Sequence, residues 1–429
     1  MLSNKWLLRI VISLIILITE HLRDRVDEMK YIVVLGDGMA DYPVKELSGK
    51  TPLQAAHKPN MDLLASRGEI GLVKTIPDSL PPGSDVANLA VLGYDPAIYY
   101  TGRSPLEAAS IGIQMNDTDI AFRTNLVTLS DAGEYSQRIM LDHSSDEITT
   151  AEAGQLIDAI NESFGNDFLT FYKGVSYRHC LIWKDGSLDL DLTPPHDILG
   201  EGIGAYLPKG RDAGIILDMM QGSVSILENH PVNQSRVKRG LKPANSIWIW
   251  GQGKKPVLPS FKEKYGLDGA VISAVDLIKG LGLSAALDTI DVEGATGNIH
   301  TNYKGKARAA LEALKRGKDF VFIHIEAPDE CGHRYEIDNK VRSIELIDEL
   351  VVGTLVDSLE EYGDYRLLIL PDHPTPLSLR THTRDPVPYI FYRKSRARQG
   401  IARSYDEYTA LNGEGFFETG PDLMAYFLK

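Results

Sequence analysis

Three short apolar stretches of this sequence are each followed directly by residues that can bind a metal ion. The stretches and the residues behind them are Tyr31–Leu35 with Asp37, Phe320–Ile325 with Asp329 and His333, and Arg366–Leu370 with Asp372 and His373. Another histidine, His382, follows the third group. Carboxylate and imidazole ligands without thiolate suit zinc, manganese or similar divalent cations. Three aspartates and three histidines suffice for two adjacent cations, and the sequence does not choose between metals.

Each of these residues also has a structural explanation when it is taken alone. Asp37 between two glycines fits a turn, the pair after Leu370 fits an exposed loop, and His382 fits a surface histidine. Asp329 and His333 are more informative, because residues four apart on a helical turn share one face and can hold one cation. Taken together, the residues favour one site that holds two adjacent divalent cations.

A serine with two interpretations lies in the stretch "LPPGSDVANLAVLG". Ser84 follows a Pro-Pro-Gly corner and precedes a helical apolar pattern, which is typical of a helix N-cap. A hydroxyl beside a bound divalent cation has a lowered pKa and becomes a nucleophile. A helix N-terminus also favours an incoming phosphate. The same residue can fill both roles, so the sequence leaves both interpretations open.

The strands and helices that must position these residues are predicted to form a doubly wound α/β core. Short apolar runs bounded by turn residues predict strands at Tyr31–Leu35, Ser246–Trp250, Ala270–Ile272, Phe320–Ile325, Arg366–Leu370 and Pro388–Tyr392. Helical patterns at Lys304–Lys315 and Ile337–Glu361 separate some of them, which indicates a mostly parallel sheet covered on both faces. Ligands bind at the carboxyl ends of such strands, so the metal-binding residues are expected to meet at one edge.

Changes in the sequence pattern along the chain predict three parts: a core, an inserted domain and an N-terminal extension. Between 114 and 245 the runs alternate with polar residues, as in "AFRTNLVTL", which indicates a smaller α+β domain inserted into a core formed by 29–113 and 246–429. Residues 1–28 carry the apolar run "WLLRIVISLIILI", which resembles a signal peptide or anchor. The run is short for a membrane span and contains Arg9, and Met29 directly precedes the first predicted strand. We therefore favour a mis-called start codon near Met29. We expect no association with a membrane unless residues 1–28 are a real anchor.

The amino-acid composition limits which kinds of ligand and cellular location the sequence is compatible with. The chain of 429 residues has a formal net charge of −14, which argues against nucleic acid as a ligand. Its two cysteines cannot form a disulfide framework, so we expect a reducing, cytoplasmic location. An anionic small molecule would need metal ions or clustered arginines, and the oligomeric state is not indicated by the sequence.

The chain resembles the cofactor-independent phosphoglycerate mutases of the archaeal type, within the alkaline phosphatase superfamily. The blocks that carry the likeness run from about Met29 to the C-terminus and include "PPGSDVANLAVLGYDP", "EAPDECGH", "PDHPTP", "THTRDPVP", "TGRSPLEAASIGI" and "EGATGNIHTNYKGKA". The resemblance implies an alkaline phosphatase-like core and an inserted domain that clamps the substrate. It also implies interconversion of 3-phosphoglycerate and 2-phosphoglycerate without bisphosphoglycerate.

The resemblance also implies roles for individual residues. Ser84 would accept the phosphoryl group and would share one metal with Asp37, Asp372 and His373. The other metal would be held by Asp329, His333 and His382. Lys340 would contact the phosphoryl group, and the substrate's anionic groups would be bound by Arg123, Arg178, Arg236 and Arg239. The implied cofactors are two divalent ions, with Mn²⁺, Zn²⁺, Co²⁺ and Mg²⁺ all open.

One block departs from the family pattern, and other activities fit the same ligands. After His333 the family usually has an acidic or polar residue, glycine and aspartate, where this chain has Arg334, Tyr335 and Glu336. The alternatives are a metal-dependent phosphatase or phosphodiesterase, or a phosphotransferase acting on another small phosphorylated metabolite. A non-catalytic binding protein is disfavoured, because all seven metal-site residues are present.

Overall fold

The computed structural model describes residues 29–131, 133–398 and 403–429. The expected N-terminal extension, 1–28, lies outside them. The chain forms two compact units, the first from the described residues up to Tyr100 together with Leu258–Lys429, and the second from Thr101–Val257. The second unit begins before and ends after the bounds 114 and 245 that the sequence suggested. In the part of the chain that the structure describes, no helix is long and apolar enough to cross a membrane.

The strands, in chain order, are β1 (Lys30–Gly36), β2 (Glu69–Val73), β3 (Ile120–Leu129), β4 (Met140–Asp142), β5 (Leu169–Tyr172), β6 (Arg178–Trp183), β7 (Leu190–Asp191), β8 (Lys209–Gly210), β9 (Ser246–Lys254), β10 (Gly269–Ile272), β11 (Asp288–Ile290), β12 (Phe320–Ile325), β13 (Tyr365–Leu370), β14 (Val387–Arg393) and β15 (Gly415–Phe417).

The α-helices are α1 (Pro52–Ala55), α2 (Pro59–Arg67), α3 (Ser84–Val91), α4 (Pro96–Tyr99), α5 (Ser104–Ser110), α6 (Thr150–Phe164), α7 (Ala213–Leu227), α8 (Pro231–Lys238), α9 (Phe261–Tyr265), α10 (Asp276–Ser284), α11 (Tyr303–Lys315), α12 (Ala327–His333), α13 (Ile337–Leu346), α14 (Gly353–Leu359), α15 (Glu407–Leu411) and α16 (Gly420–Leu428). A π-helical segment, Ile347–Val352, joins α13 to α14.

The first unit is built on an eight-stranded sheet in the order β11-β10-β12-β1-β13-β14-β2-β15. The strands from β11 to β13 are parallel, whereas β14 runs antiparallel to both of its neighbours. Every residue of β12 and β13 is buried, as the apolar runs predicted for strands covered on both faces. This architecture confirms the predicted doubly wound α/β fold class with a smaller α+β part.

The second unit contains a separate antiparallel sheet, in which β3 pairs with β4, β6 and β9, and β5 pairs with β6. The assignment of Ser246–Trp250 to the core sheet was therefore wrong, because this run is part of β9. It is apolar on both faces since α7 packs against β9 and covers it. A doubly covered antiparallel strand gives the same sequence pattern as a buried parallel one.

The predicted long helix Ile337–Glu361 is interrupted by the π-helical segment, and that segment carries a buried acid. The Asp348 carboxylate accepts hydrogen bonds from the backbone N–H groups of Asn60 (3.2 Å) and Met61 (2.7 Å). These belong to the first turn of α2, whose N-cap residue Lys58 makes no side-chain cap. Asp348 therefore supplies the missing cap from another element.

Replacing this acid should destabilise the first unit. We expect Asp348→Ala to lower the free energy of unfolding by about 2 kcal/mol, because two buried N–H groups lose a charged acceptor. Denaturant unfolding measures the change, with the exposed Asp357→Ala on α14 as the control. Equal stability of the two variants would contradict the capping role.

Candidate active site

The sequence-predicted metal ligands of the first unit come together at one edge of its sheet. The strands β12, β1 and β13 are neighbours in the sheet and run parallel, so their carboxyl ends lie side by side. Asp37 follows β1, Asp329 lies in α12 directly after β12, and Asp372 follows β13. The expected meeting of the three groups is what the topology produces.

The first ligand group consists of Asp37, Asp372 and His373, whose ligand atoms all lie within 4.8 Å of one another. His373 Nε2 is 3.5 Å from Asp37 Oδ1 and 3.4 Å from Asp372 Oδ2. All three side chains are buried. Burial raises the pKa of Asp37, and the neighbouring Asp372 carboxylate raises it further. A bound cation would relieve this crowding of negative charge.

The second ligand group consists of Asp329, His373 and His382, again within 4.8 Å. His333 joins it, with Nε2 at 3.2 Å from Asp329 Oδ2 and 2.9 Å from His382 Nε2. The expectation that Asp329 and His333 share a helix face is met within α12. Burial opposes ionisation of Asp329, but hydrogen bonds from His333 and His382 outweigh it and hold its pKa well below the usual value. Because His373 belongs to both groups, the two groups are contiguous.

Ser84 faces the first ligand group instead of capping its own helix. It is the first residue of α3, the N-cap is Gly83, and the Val86 N–H of the first turn donates to Asp85 Oδ1 at 2.9 Å instead of to Ser84. The Oγ atom lies 3.1 Å from His373 Nε2. Of the two interpretations that the sequence left open, the cap is therefore wrong, because the chain turns into the helix one residue earlier.

Asn88, one turn after Ser84, ties the serine's helix to the first ligand group. Its Nδ2 donates to Asp372 Oδ2 at 2.7 Å and to the Ser84 carbonyl at 2.9 Å. Gly38 holds the other oxygen, since its N–H donates to Asp372 Oδ1 at 3.1 Å. Sequence reasoning missed Asn88. The available signal was its spacing, because residues four apart on a helix share a face.

A second missed residue is His324, which lies inside the apolar strand β12. Its Nε2 is 2.9 Å from Asp37 Oδ2 and its Nδ1 is 3.2 Å from Ser273 Oγ. With Glu326 and Asp37 it forms a third set of potential ligand atoms within 4.8 Å. Burial and the Lys306 ammonium hold the pKa of His324 well below its usual value. A lone histidine in the run "FVFIHIE" was the sequence signal.

Lys340 does not have the surroundings that the family pattern implied. Its side chain is fully buried, and its Nζ donates to Asp41 Oδ2 at 2.7 Å and to the Thr375 carbonyl at 2.8 Å. The structure therefore does not support the expected contact with a phosphoryl group. Lys340 lies behind the metal-ligand residues, in contact with the loop that follows them.

The four arginines that the resemblance implied as anion-binding residues lie in two different kinds of surroundings. Arg123 is buried with Nε at 3.5 Å from Glu107 and its guanidinium 5.2 Å from the Trp250 ring centroid. The pKa of Arg123 is lowered to about 10, mainly because the side chain is buried. The Glu107 carboxylate raises this pKa, whereas the positive charges of Arg103 and Arg178 lower it further. Three guanidinium groups therefore surround the single Glu107 carboxylate, which leaves an excess of positive charge in this cluster. Arg103 was missed from the sequence.

Arg236 and Arg239 hold the second unit together. Arg236 is almost fully buried and donates to Glu152, to the Ser145 carbonyl and to the Lys242 carbonyl. Arg239 pairs with the same Glu152 carboxylate. Their expected role in substrate binding finds no support, because the guanidinium of Arg236 is occupied by internal partners and Arg239 shares one of them.

The fold and the candidate site define a class of protein: a mixed α/β protein in which a serine lies beside two contiguous groups of potential metal ligands, at the carboxyl edge of a largely parallel sheet. Residues 65–233 match the family described as 2,3-bisphosphoglycerate-independent phosphoglycerate mutase.

Individual relatives extend this match to nearly the whole chain. A Geobacter sulfurreducens protein named "Probable 2,3-bisphosphoglycerate-independent phosphoglycerate mutase" is 51% identical over 400 residues, which cover 93% of this chain and 100% of the relative. The solved structure of a Pyrococcus horikoshii protein is similar with a TM-score of 0.78 and 31% identity, covering 94% of this chain and 97% of that one. The cofactor-independent phosphoglycerate mutase of Thermoplasma acidophilum gives a TM-score of 0.64 at 28% identity, with 94% and 99% covered. The chain belongs to the family of 2,3-bisphosphoglycerate-independent phosphoglycerate mutases, as the resemblance predicted.

The second ligand group should give the metal-free protein a pH-dependent stability. Burial lowers the pKa of His333, but Asp329 outweighs this and raises it to about 9. A raised pKa means that the folded state holds the proton more tightly, so this stabilisation is complete below about pH 6.5 and is lost as the pH rises through about 9.

We therefore expect the thermal midpoint of chelator-treated protein to fall from pH 6.5 to 9 more steeply in wild type than in His333→Gln. Other titrating groups are common to both proteins. With added Mn²⁺ we expect the opposite trend, with wild type stabilised more than His333→Gln as the pH rises, because a bound cation requires neutral imidazole and the variant lacks this candidate ligand. Parallel curves without metal would contradict this assignment.

Proposed function

We propose that the chain interconverts 3-phosphoglycerate and 2-phosphoglycerate through a phosphoserine on Ser84. The isomerase activity follows from membership of the family, whose description also excludes a need for bisphosphoglycerate. The observation that carries the residue assignment is the contact of Ser84 Oγ with His373 Nε2, since His373 belongs to both ligand groups. The serine hydroxyl thus lies where two cations and an incoming phosphoryl group would meet.

The donor set fits two divalent cations. Asp37, Asp372 and His373 would hold one beside Ser84, and Asp329, His333 and His382 would hold the other. Asp37 Oδ1 is buried without a hydrogen-bond partner, which is costly unless a cation or proton compensates it. The ligand types suit Mn²⁺, Zn²⁺, Co²⁺ or Mg²⁺. Such ions lower the pKa of a nearby hydroxyl and neutralise the charge of a transferring phosphoryl group.

The chain's own residues supply nucleophile and orientation. In the first transfer, Ser84 Oγ forms a bond to phosphorus as the ester P–O bond of the substrate breaks, and the serine proton passes to the glycerate oxygen that is released. In the second transfer, the other glycerate hydroxyl attacks phosphorus, the Oγ–P bond breaks, and Ser84 regains the proton that this hydroxyl loses. No phosphate is released and no external donor is consumed. Asn88 holds Asp372 relative to Ser84, and the first N–H groups of α3 favour negative charge near the serine. Positioning and electrostatic stabilisation are the main contributions to phosphoryl transfer.

The second unit is proposed to bind the substrate's anionic groups. Arg123 and Arg178 support this role, because Arg123 is buried among other guanidinium groups and arginine matches carboxylate and phosphate oxygens in bidentate fashion. Arg103 joins them in place of Arg236 and Arg239.

The nucleophile assignment is tested by Ser84→Ala. Without a phosphate acceptor on the enzyme, we expect turnover of 3-phosphoglycerate to fall at least about 10⁴-fold. The assay follows 2-phosphoglycerate and free phosphate together, in Mn²⁺ and without bisphosphoglycerate. The exposed Ser163→Ala on α6 is the matched control. Release of phosphate alone by wild type would instead indicate a phosphatase with the same metal site, and substantial activity of Ser84→Ala would remove the nucleophile role.

The anion-binding assignment is tested by Arg123→Lys and Arg123→Met. Loss of the bidentate guanidinium should raise KM for 3-phosphoglycerate about 10- to 100-fold, corresponding to about 1.5–3 kcal/mol for hydrogen bonds to a charged group. The lysine variant keeps the charge and should lie between wild type and Arg123→Met. Steady-state kinetics measure this, with the exposed Arg211→Met as the control. An unchanged KM in both variants would place the anion site elsewhere.

A further inference from the structure

A buried ion pair lies directly behind the metal-ligand residues. Lys340 Nζ is 2.7 Å from Asp41 Oδ2, and neither side chain is more than 1% exposed. Burying two charges is costly unless further hydrogen bonds satisfy them. Asp41 Oδ1 accepts from the neighbouring Tyr42 N–H at 2.7 Å, and the other bonds of the pair go to one short stretch of chain.

That stretch is the loop Pro374–Leu377, immediately after Asp372 and His373. Lys340 Nζ donates to the Thr375 carbonyl at 2.8 Å. Both oxygens of Asp41 accept from the Leu377 N–H, at 3.2 and 3.1 Å. The Thr375 N–H donates to the Ala40 carbonyl at 3.2 Å. The ion pair therefore fixes the backbone from the Thr375 carbonyl to Leu377, and the Ala40 carbonyl holds the Thr375 N–H.

The Thr375 hydroxyl connects the two ligand groups. Its Oγ1 donates to Asp329 Oδ1 at 2.5 Å and lies 3.3 Å from His373 Nδ1. Asp329 belongs to the second ligand group and His373 to both. The side chain is fully buried, so water does not compete for these bonds. A single hydroxyl thus sets the position of one ligand relative to the other.

Two glycines allow Thr375 to approach this closely and leave it little freedom. A Cβ on Gly332, in α12, would lie 2.6 Å from the Thr375 carbonyl oxygen. A Cβ on Gly38, which has φ +61°, would lie 2.5 Å from Thr375 Oγ1. Thr375 is therefore held between the loop that follows β1 and helix α12, which follows β12.

We propose that Thr375, Lys340 and Asp41 are positioning residues that set the spacing of the two ligand groups, Thr375 directly and the ion pair by holding its backbone. This role rests on the proposed function, because it presumes that both groups bind cations. It assigns Lys340 a position behind the ligands in place of contact with the phosphoryl group. Residues that orient metal ligands commonly change metal affinity or activity 10- to 100-fold when they are replaced.

The test compares Thr375→Val, which keeps the shape and removes the hydroxyl, with Thr375→Ser, which keeps the hydroxyl. Mn²⁺ binding to the full chain is measured by titration, alongside kcat and KM for 3-phosphoglycerate. We expect Thr375→Val to weaken binding of one of two Mn²⁺ ions about 10- to 100-fold and to lower kcat more than it changes KM. Thr375→Ser should restore both quantities, and Lys340→Met should weaken Mn²⁺ binding in the same direction.

The control is Thr354→Val, the same chemical change on α14, where the hydroxyl donates to the Leu350 carbonyl. Mn²⁺ affinity and kcat within twofold of wild type in Thr375→Val would overturn the proposal, as would equal impairment of Thr375→Ser and Thr375→Val. Failure of the proposed function is distinguishable from both. In that case wild type would bind Mn²⁺ but form no 2-phosphoglycerate, and the affinity comparison would still test the positioning role.

Discussion

Crowding of buried carboxylates at one edge of a parallel sheet is the constraint on which this structure depends. Asp37, Asp329 and Asp372 each follow a different strand, and all three are nearly inaccessible to water. Buried negative charges repel one another and lose hydration, so they require protons, imidazolium groups or cations close by. The surrounding histidines and hydrogen-bond donors are arranged to meet that requirement.

The sheet order explains how so many polar groups converge without a long loop. Because β1 lies between β12 and β13, the residues after these three strands are neighbours even though Asp37 is far from Asp329 and Asp372 in the chain. Each ligand is then oriented by a short-range contact, such as Asn88 on Asp372 and Thr375 on Asp329. A rigid, buried frame of this kind keeps the ligand side chains aligned.

Sequence reasoning succeeded where the signal was local and failed where it depended on partners. The strands Phe320–Ile325 and Arg366–Leu370 and the helix face shared by Asp329 and His333 are encoded by periodicity over a few residues. The apolar run in β9 was assigned to the wrong sheet, because a covered antiparallel strand and a parallel strand have the same pattern. Arg236 looked like an anion-binding arginine, yet its partners Glu152 and Ser145 are far away in the chain and invisible to local patterns.

The sequence by itself determined the fold class, the family and the identity of the residues that can hold metal ions. The fold class and the candidate ligands follow from residue type and spacing, and the family follows from the resemblance of whole sequence blocks to its members. Only the tertiary structure decided that Ser84 faces His373 instead of capping its helix, that His324 supports Asp37, and that Lys340 lies behind the ligands. The physical reason is that a side chain's role depends on which groups burial brings within hydrogen-bonding distance, and those groups come from separate strands and helices.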